Sequence, residues 1–354
     1  MAGGGAERQL IYLGDELARQ GHEVHVALSG RGVYWEKLVR SAIHIHELNG
    51  CCNYDPLILV QLIRLIRKIK PDLVHTWLLQ MDVLAAAAAT FTRVPFVMAE
   101  RTDHRGHGNN WKYRIRFRFG KKASGIIANS RGGLAYWDRL GKQNTKKTVI
   151  KNIVPFAEIS RTRDLELKTS FEPNTKLIIS ACRFIPLKNL HNLLQALKIV
   201  LEKCDKLEAL FFGRGPLVNE INREIKDLGL EKKIHLMGFS DKLYAWLKSA
   251  SLFVSVSHFE GTPNAVLEAV ACKCPVMISD IPAHREILAK DQAWWASPTS
   301  VQEIAGSIEK AVYSPQQAEC KANDAYNQIK KYSSDYIAAQ YVQAYKDILE
   351  HNAK

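Results

Sequence analysis

The stretch "LFVSVSHFEGTPNAVLEAVACKCPVMISD" (Leu252–Asp280) decides the fold. Its first residues are apolar enough for a central strand. "GT" turns the chain, and "PNAVLEAVAC" reads as a helix. Thr262 suits the cap of that helix and Pro263 its first position, where proline has no N–H to lose. "CPVMISD" is a second strand. A strand, a corner, a helix and another strand make one step of a parallel sheet covered by helices.

The corner carries two carboxylates. Glu260 lies on the loop, and Glu268 about a turn and a half inside the helix. Ligands of such sheets bind outside the carboxyl ends of the strands. There the amides of Gly261 and Asn264, with the positive end of the helix behind them, suit a phosphate. Carboxylates repel phosphate but accept hydrogen bonds from hydroxyls. The corner therefore suits two hydroxylated rings flanking a diphosphate, which is the form of a nucleotide-sugar. The plainer alternative is a solvated loop acid and a second acid facing water. Alanine and valine around Glu268 weigh against that solvent face.

A second corner points the same way. "SACRFIPLKNL" (Ser180–Leu190) sets Arg183 and Lys188 just beyond another strand. Arginine can grip phosphate oxygens bidentately and lysine acts as a compact charge. Two cations from one loop and two carboxylates from a later one are expected to converge, although unrelated surface charges would look alike in sequence.

Outward from these corners the βαβ pattern fills the chain. In the first half, "GAERQLIYLGDELARQG" is a helix and "HEVHVALS" a strand. "LILVQLIRLIRKIK" is a helix stopped by Pro71, and "DLVHTW" a strand. A helix from about Asp82 to Thr92, the strand "VPFVMAE", a helix through "WKYRIRFRFGKK" and the strand "GIIANS" follow. After "TVIKNIVPF" the pattern restarts with "TKLIISACRF" and continues through "LEALFFGRG" and "IHLMGF". The expected architecture is α/β, with two doubly wound parallel-sheet domains facing a central cleft. The expected boundaries are 1–155, 156–333, and a helical tail, 334–354, packing back toward the first domain. A glycine-rich turn in such a domain normally follows its first strand. Here "MAGGGAERQ" has no apolar strand ahead of the glycines, so the first domain is expected to be missing that strand.

The 354 residues match two domains of ordinary size. Apolar runs such as "VLAAAAATF" are too short to span a bilayer, and no signal peptide is legible. Seven cysteines form no framework, and reduced thiols in a cytoplasmic protein are expected. The charge is lopsided. Residues 1–150 hold 23 Lys and Arg against 12 Asp and Glu, whereas the rest hold 26 against 24. A basic half implies an anionic partner.

In these motifs the chain resembles the GT-B retaining glycosyltransferases of family 4 (group 1), over nearly its whole length. "EGTPNAVLEA" (Glu260–Ala269) looks like that family's paired-glutamate signature, and "RFIPLKN" (Arg183–Asn189) like its phosphate-binding loop. "GGGAERQ" (Gly3–Gln9), "FFGRGP" (Phe211–Pro216) and "IPAHREI" (Ile281–Ile287) follow in family order. The resemblance implies that Arg183 and Lys188 hold the donor diphosphate and stabilise the leaving nucleotide without a metal or other cofactor. It implies Glu268 on the ribose hydroxyls and Glu260 on the donor sugar. Gly261, Thr262, Pro263 and Asn264 would help through their backbone, and Gly238 and Phe239 would read the base. Gly4 and Gly5 would approach donor and acceptor, and His104 looks like the family's active-site histidine, with His107 the lesser candidate. The implied reaction moves a hexose or N-acetylhexosamine from a nucleotide-diphosphate sugar to a glycan or lipid-linked acceptor of bacterial surface polysaccharide. Lys273 stands where the family usually has a small residue, often glycine.

The basic half fits such an acceptor. Wound as a helix, Trp111–Lys122 puts Arg114, Arg118, Lys121 and Lys122 on one face, and Arg64–Lys70 adds a basic helix end. Both could lie on an anionic membrane, which implies a peripheral position on the inner face of the cytoplasmic membrane. The alternative is an ordinary exposed basic face. Nucleic acid is not expected, because no recognition module accompanies the charge. A dinucleotide oxidoreductase is disfavoured by Arg8, where the glycine pattern needs a third glycine. A nucleotide-sugar epimerase, a sugar phosphorylase or a non-catalytic nucleotide-sugar-binding protein on the same fold remain as alternatives.

Overall fold

The computed structural model describes residues 4–102, 110–138, 145–163, 171–172 and 174–352. The chain divides into two compact units, Met1–Ile153 with Tyr332–Lys354, and Val154–Lys331.

The first unit begins with helix α1 (Gly5–Arg19), then β1 (His25–Leu28), α2 (Trp35–Val39), β2 (His44–Glu47) and α3 (Pro56–Ile69). It continues with β3 (Val74–Thr76), α4 (Leu78–Thr92), β4 (Phe96–Glu100), α5 (Trp111–Gly120), β5 (Gly125–Ala128), α6 (Arg131–Asp138) and β6 (Lys146–Val149). All pairings are parallel, but they form two sheets: β1-β2, and β3-β4-β5-β6. β4 and β5 are buried at every residue, as central parallel strands should be.

Helix α4 starts at Leu78, four residues ahead of the expected Asp82. Aspartate there suggests a cap, but Asp82 is 1% exposed and holds a buried cation instead. β2, with both ends exposed, carries too little apolar pattern to be legible in sequence.

The second unit runs α7 (Phe156–Arg161), β7 (Lys176–Ala181), α8 (Leu190–Leu201), β8 (Leu207–Phe212), α9 (Val218–Asp227), β9 (Ile234–Gly238), α10 (Leu243–Ser249) and β10 (Leu252–Ser255). Then come α11 (Asn264–Ala271), β11 (Val276–Ser279), α12 (Pro282–Arg285), β12 (Trp294–Ala296), α13 (Val301–Tyr313) and α14 (Pro315–Ile329). Its parallel sheet has the order β12-β11-β10-β7-β8-β9. From β7 the chain first builds toward β9, then crosses to β10 on the other side. That reversal leaves a crevice at the carboxyl ends of β7 and β10, where such sheets bind ligands. Leu193, Leu194 and Leu197 of α8 and Ile304 and Ile308 of α13 bury this sheet's core.

The last helix, α15 (Ser334–Asn352), belongs to the first unit. There a Cβ on Gly125 would come within 2.3 Å of Ile348, so glycine lets the helix seat on β5. All seven cysteines are unpaired.

Candidate active site

Two corners of the second unit are zipped together at the switch point. Beyond β7 a single 3-10 turn (Pro186–Lys188) ends at Asn189, which takes the left-handed conformation at φ +56°. The Asn189 amide donates to the carbonyls of Val256, at 3.1 Å, and Pro298, at 2.6 Å. The His258 N–H donates to the Leu187 carbonyl at 3.0 Å. These bonds tie the β7 loop to the β10 loop and bring Lys188 onto Glu260.

Lys188 Nζ donates to Glu260 Oε1, which also accepts from Ser257 Oγ at 2.7 Å. Ser279 Oγ, at the end of β11, holds the Ser257 carbonyl at 2.7 Å. Burial pushes the Glu260 carboxyl up, but the Lys188 ammonium and the Ser257 hydroxyl outweigh it and hold the group below its usual range. The pair keeps access to solvent, with 17% of the Lys188 side chain and 12% of the Glu260 side chain exposed. Arg183 follows the same strand and is exposed.

Glu268 is 3% exposed, within the buried run Val266–Ala271 of α11. This excludes an acid simply facing water. The helix begins at Asn264 with Pro263 as its N-cap and no side-chain cap, which corrects the expected assignment of Thr262 to the cap and Pro263 to the first turn. Thr262 is instead buried. Gly261, Thr262, Pro263 and Asn264 lead directly from Glu260 into the helix.

The neighbouring loops are shaped by glycine. A Cβ on Gly213 would lie 1.8 Å from the Cys182 carbonyl oxygen, and one on Gly215 2.2 Å from that of Phe184. The Gly213 N–H reaches the Gly238 carbonyl at 2.7 Å. Gly238 itself takes φ +68°, and Phe239 after it is 46% exposed beneath Arg214, 6.0 Å from ring centre to guanidinium. Gly238 and Phe239 thus share the same sheet edge as Arg183, Lys188 and Glu260.

Ser257, Asn189 and His284 were not singled out from sequence. His284 is fully buried, and its Nδ1 donates to the Ser279 carbonyl at 2.7 Å. Burial lowers its pKa, so the ring is neutral, and Nε2 has no partner among the described residues. Only a polar residue just past a strand end could have flagged it.

In the first unit Gly4 caps α1, and its N–H donates to Glu7 at 3.0 Å. A Cβ there would meet nothing within 4 Å, so packing in that unit does not require glycine at this position. Gly5 opens the helix. His104 and His107 lie outside the described residues. Among the described residues one group could hold an ion: ligand atoms of Glu23, His25 and His44 lie within 4.8 Å of one another, at β1 and β2.

Two family models together match nearly the whole chain. "Glycosyl transferases group 1" matches residues 163–332, and "Glycosyltransferase Family 4" matches residues 3–158. The chain belongs to this family of glycosyltransferases. It is 26% identical to the N-acetylgalactosamine-N,N'-diacetylbacillosaminyl-diphospho-undecaprenol 4-alpha-N-acetylgalactosaminyltransferase of Campylobacter jejuni, over 82% of each chain. It is 24% identical to the N-acetyl-alpha-D-glucosaminyl L-malate synthase of Bacillus anthracis, over 95% of this chain and 92% of that one. Among solved structures, Anabaena HepE in complex with UDP and glucose superimposes with a TM-score of 0.83 at 21% identity, covering 97% and 96% of the two chains. The fold is GT-B.

Proposed function

We propose that the protein is a retaining, metal-independent glycosyltransferase that moves a hexose or N-acetylhexosamine from a nucleotide-diphosphate sugar to a lipid-linked or glycan acceptor. The observation that carries this reading is the Lys188–Glu260 pair at the switch point, on the loop that leads into the helix carrying buried Glu268. In this reading Arg183 and Lys188 take the diphosphate, and the positive end of α11 adds to their field. Lys188 exchanges part of its contact with Glu260 for phosphate, which frees Glu260 for donor-sugar hydroxyls. Glu268 accepts the ribose hydroxyls, and Gly238 and Phe239 face the base. The departing phosphate oxygen assists removal of the acceptor's proton, so attack comes on the face the nucleotide leaves. No pair of carboxylates flanking one bond is needed, unlike glycoside hydrolysis.

The relatives support the acceptor class. The Campylobacter enzyme's name places its acceptor on undecaprenyl diphosphate. No helix among the described residues is long and apolar enough to cross a membrane. Exposed Arg64, Arg67, Lys68 and Lys70 on or beside α3, and exposed Arg114, Arg118, Lys121 and Lys122 on or beside α5, support docking on anionic lipid. Trp111 and Phe91, 54% and 63% exposed, add an apolar component.

A thermal-shift panel of UDP-, GDP- and ADP-sugars tests the donor site, since a ligand of the folded state raises its stability. Arg183→Ala and Glu268→Ala are expected to abolish the best donor's shift; an intact shift sinks the site assignment. NMR of the product's anomeric configuration, with and without chelator, tests retention and metal independence. Sedimentation with anionic liposomes at low salt, reversed by high salt, tests the membrane surface.

A further inference from the structure

Three imidazoles lie together on one face of the β1–β2 pair. His25 of β1 stands directly opposite His44 of β2, and His46 stands opposite Ala27. Side chains two apart on a strand share a face, so His44 and His46 both project on the side of His25. The rings lie almost parallel. His25 is 4.8 Å from His44 and 5.2 Å from His46 between ring centroids, at interplanar angles of 24° and 20°. Glu23, from the segment ahead of β1, closes the group with Oε1 2.9 Å from His25 Nε2. The Glu23 side chain is 74% exposed and that of His25 21%, and His44 is exposed as well.

These atoms select a cation. A carboxylate this close to a ring nitrogen needs a proton or a metal ion between the two, and it repels any anion that the imidazoles could attract. The other nitrogen of His25 is held in turn: Nδ1 lies 2.9 Å from His46 Nε2. With the proton on Nδ1, His25 donates to His46, and its Nε2 lone pair faces the space shared with Glu23 and His44. Metal-binding histidines are oriented in this way, by a partner on the nitrogen that does not bind the metal. Ligand atoms of Glu23, His25 and His44 lie within 4.8 Å of one another. Two ligands about 2.0–2.1 Å from a tetrahedral zinc ion stand about 3.3 Å apart. The widest gap therefore closes by about 1.5 Å, which rotation of the exposed Glu23 and His44 side chains supplies.

We propose that Glu23, His25 and His44 form a site for a divalent transition-metal ion of the zinc type, with water in the fourth position and His46 positioning His25. Two imidazoles and one carboxylate suit zinc, whereas magnesium and calcium take oxygen ligands. The bound ion crosslinks β2 to β1 and to the segment ahead of it. It does so in the unit that does not carry Arg183, Lys188, Glu260 and Glu268. The inference therefore stands apart from the metal independence proposed for the transfer step: this ion steadies two strands and touches no reacting atom.

The test is titration of the full, metal-stripped chain with Zn²⁺, read by calorimetry and thermal unfolding, with Mg²⁺ as the control ion. Zn²⁺ should bind and raise the melting temperature, and Mg²⁺ should do neither. His44→Ala and Glu23→Gln, both at exposed positions, should each weaken Zn²⁺ binding, His44→Ala by at least about 100-fold. His46→Ala should weaken it about 10–100-fold. His46→Gln keeps an acceptor for the His25 Nδ1 proton and should recover most of that loss. A chain with Cys51→Ser and Cys52→Ser lacks the two adjacent exposed thiols and should bind Zn²⁺ as the wild type does. Absence of binding, an equal response to Mg²⁺, affinity unchanged by both His44→Ala and Glu23→Gln, or binding lost with the two cysteines would each overturn the proposal. Affinity unchanged by His46→Ala would overturn the positioning role.

Discussion

Each unit sets a cation against carboxylates, and the two clusters differ in what they leave open. In the first unit Arg116 is 4% exposed between Asp82, at 2.6 Å, and Glu100, at 2.8 Å. Thr76 holds the other Asp82 oxygen at 2.5 Å, the Trp137 indole N–H donates to Glu100 at 3.0 Å, and Arg116 also reaches the Ala99 carbonyl at 3.2 Å. These partners are themselves buried in the first unit. In the second unit Lys188 and Glu260 meet on two loops at a sheet edge, with more of both side chains open to solvent. A closed cluster can only hold elements together. An open pair can exchange one partner for a ligand.

The largest expected effect breaks the closed cluster. Arg116→Met leaves two buried carboxylates without their cation, a change that costs about 3–5 kcal/mol. Denaturant unfolding should show that loss, while any folded fraction should bind the best nucleotide-sugar with wild-type affinity. A small stability change would mean that the cluster is more hydrated than its burial implies.

Lys188→Ala should reverse this pattern. Removing one fixed cation from a phosphate-leaving site costs about 10²–10³-fold in kcat. Stability should fall by only about 1 kcal/mol, because Glu260 keeps Ser257 and some solvent. Kinetics and unfolding on the same preparation check both halves. Loss of stability comparable to that of Arg116→Met would make Lys188 a structural residue and sink the proposed role. Glu268→Gln is the milder companion: it keeps the shape and one acceptor, so donor KM should rise about tenfold with kcat less affected.

The two clusters also differ in how they read out of sequence. Lys188 and Glu260 were legible because each follows a strand of strong apolar pattern, and a parallel sheet sends such loops to one edge. Arg116 was not. "WKYRIRFRF" alternates aromatic and basic residues, and nothing local distinguishes the one arginine that turns inward from Arg114 and Arg118, which stay exposed. Its partners lie 34 and 16 residues away in sequence. Asn189 escaped for the same reason: its amide bonds reach Val256 and Pro298, and Ser257 acts through Glu260 in its own loop and through Ser279 at the end of β11. The βα alternation was legible, but the order in which the strands pair was not, because periodicity does not report pairing.

pH sharpens the comparison on the open side. The Glu260 carboxyl titrates below its ordinary value of 4.5 in the folded protein. A depressed carboxyl contributes stability above its unfolded pKa and loses it as pH falls through the folded value. The stability advantage of the wild type over Glu260→Gln should therefore be constant from neutral pH down to about 4.5, then shrink in more acid solution. Urea midpoints of both proteins across that range give the difference directly. An advantage that grows with acidity contradicts the Lys188–Glu260 pairing.

The smallest expected effect lies at the far end of the helix that carries Glu268. α11 closes with the Cys274 N–H on the Ala269 carbonyl at 3.0 Å and the Lys273 N–H on that of Val270 at 2.9 Å. This ending requires a left-handed residue, and Lys273 supplies it at φ +57°. Glycine takes this conformation without a side-chain clash. A side chain in this conformation costs about 1 kcal/mol or slightly more. Lys273→Gly removes that strain, but glycine is freer when unfolded, and the ammonium's contact with the Tyr326 ring, at 5.2 Å, is lost. The net gain expected is about 0.5 kcal/mol, seen as a higher denaturant midpoint with donor affinity unchanged. A lower midpoint would show that Lys273 has become a tie between α11 and α14 that outweighs its backbone strain.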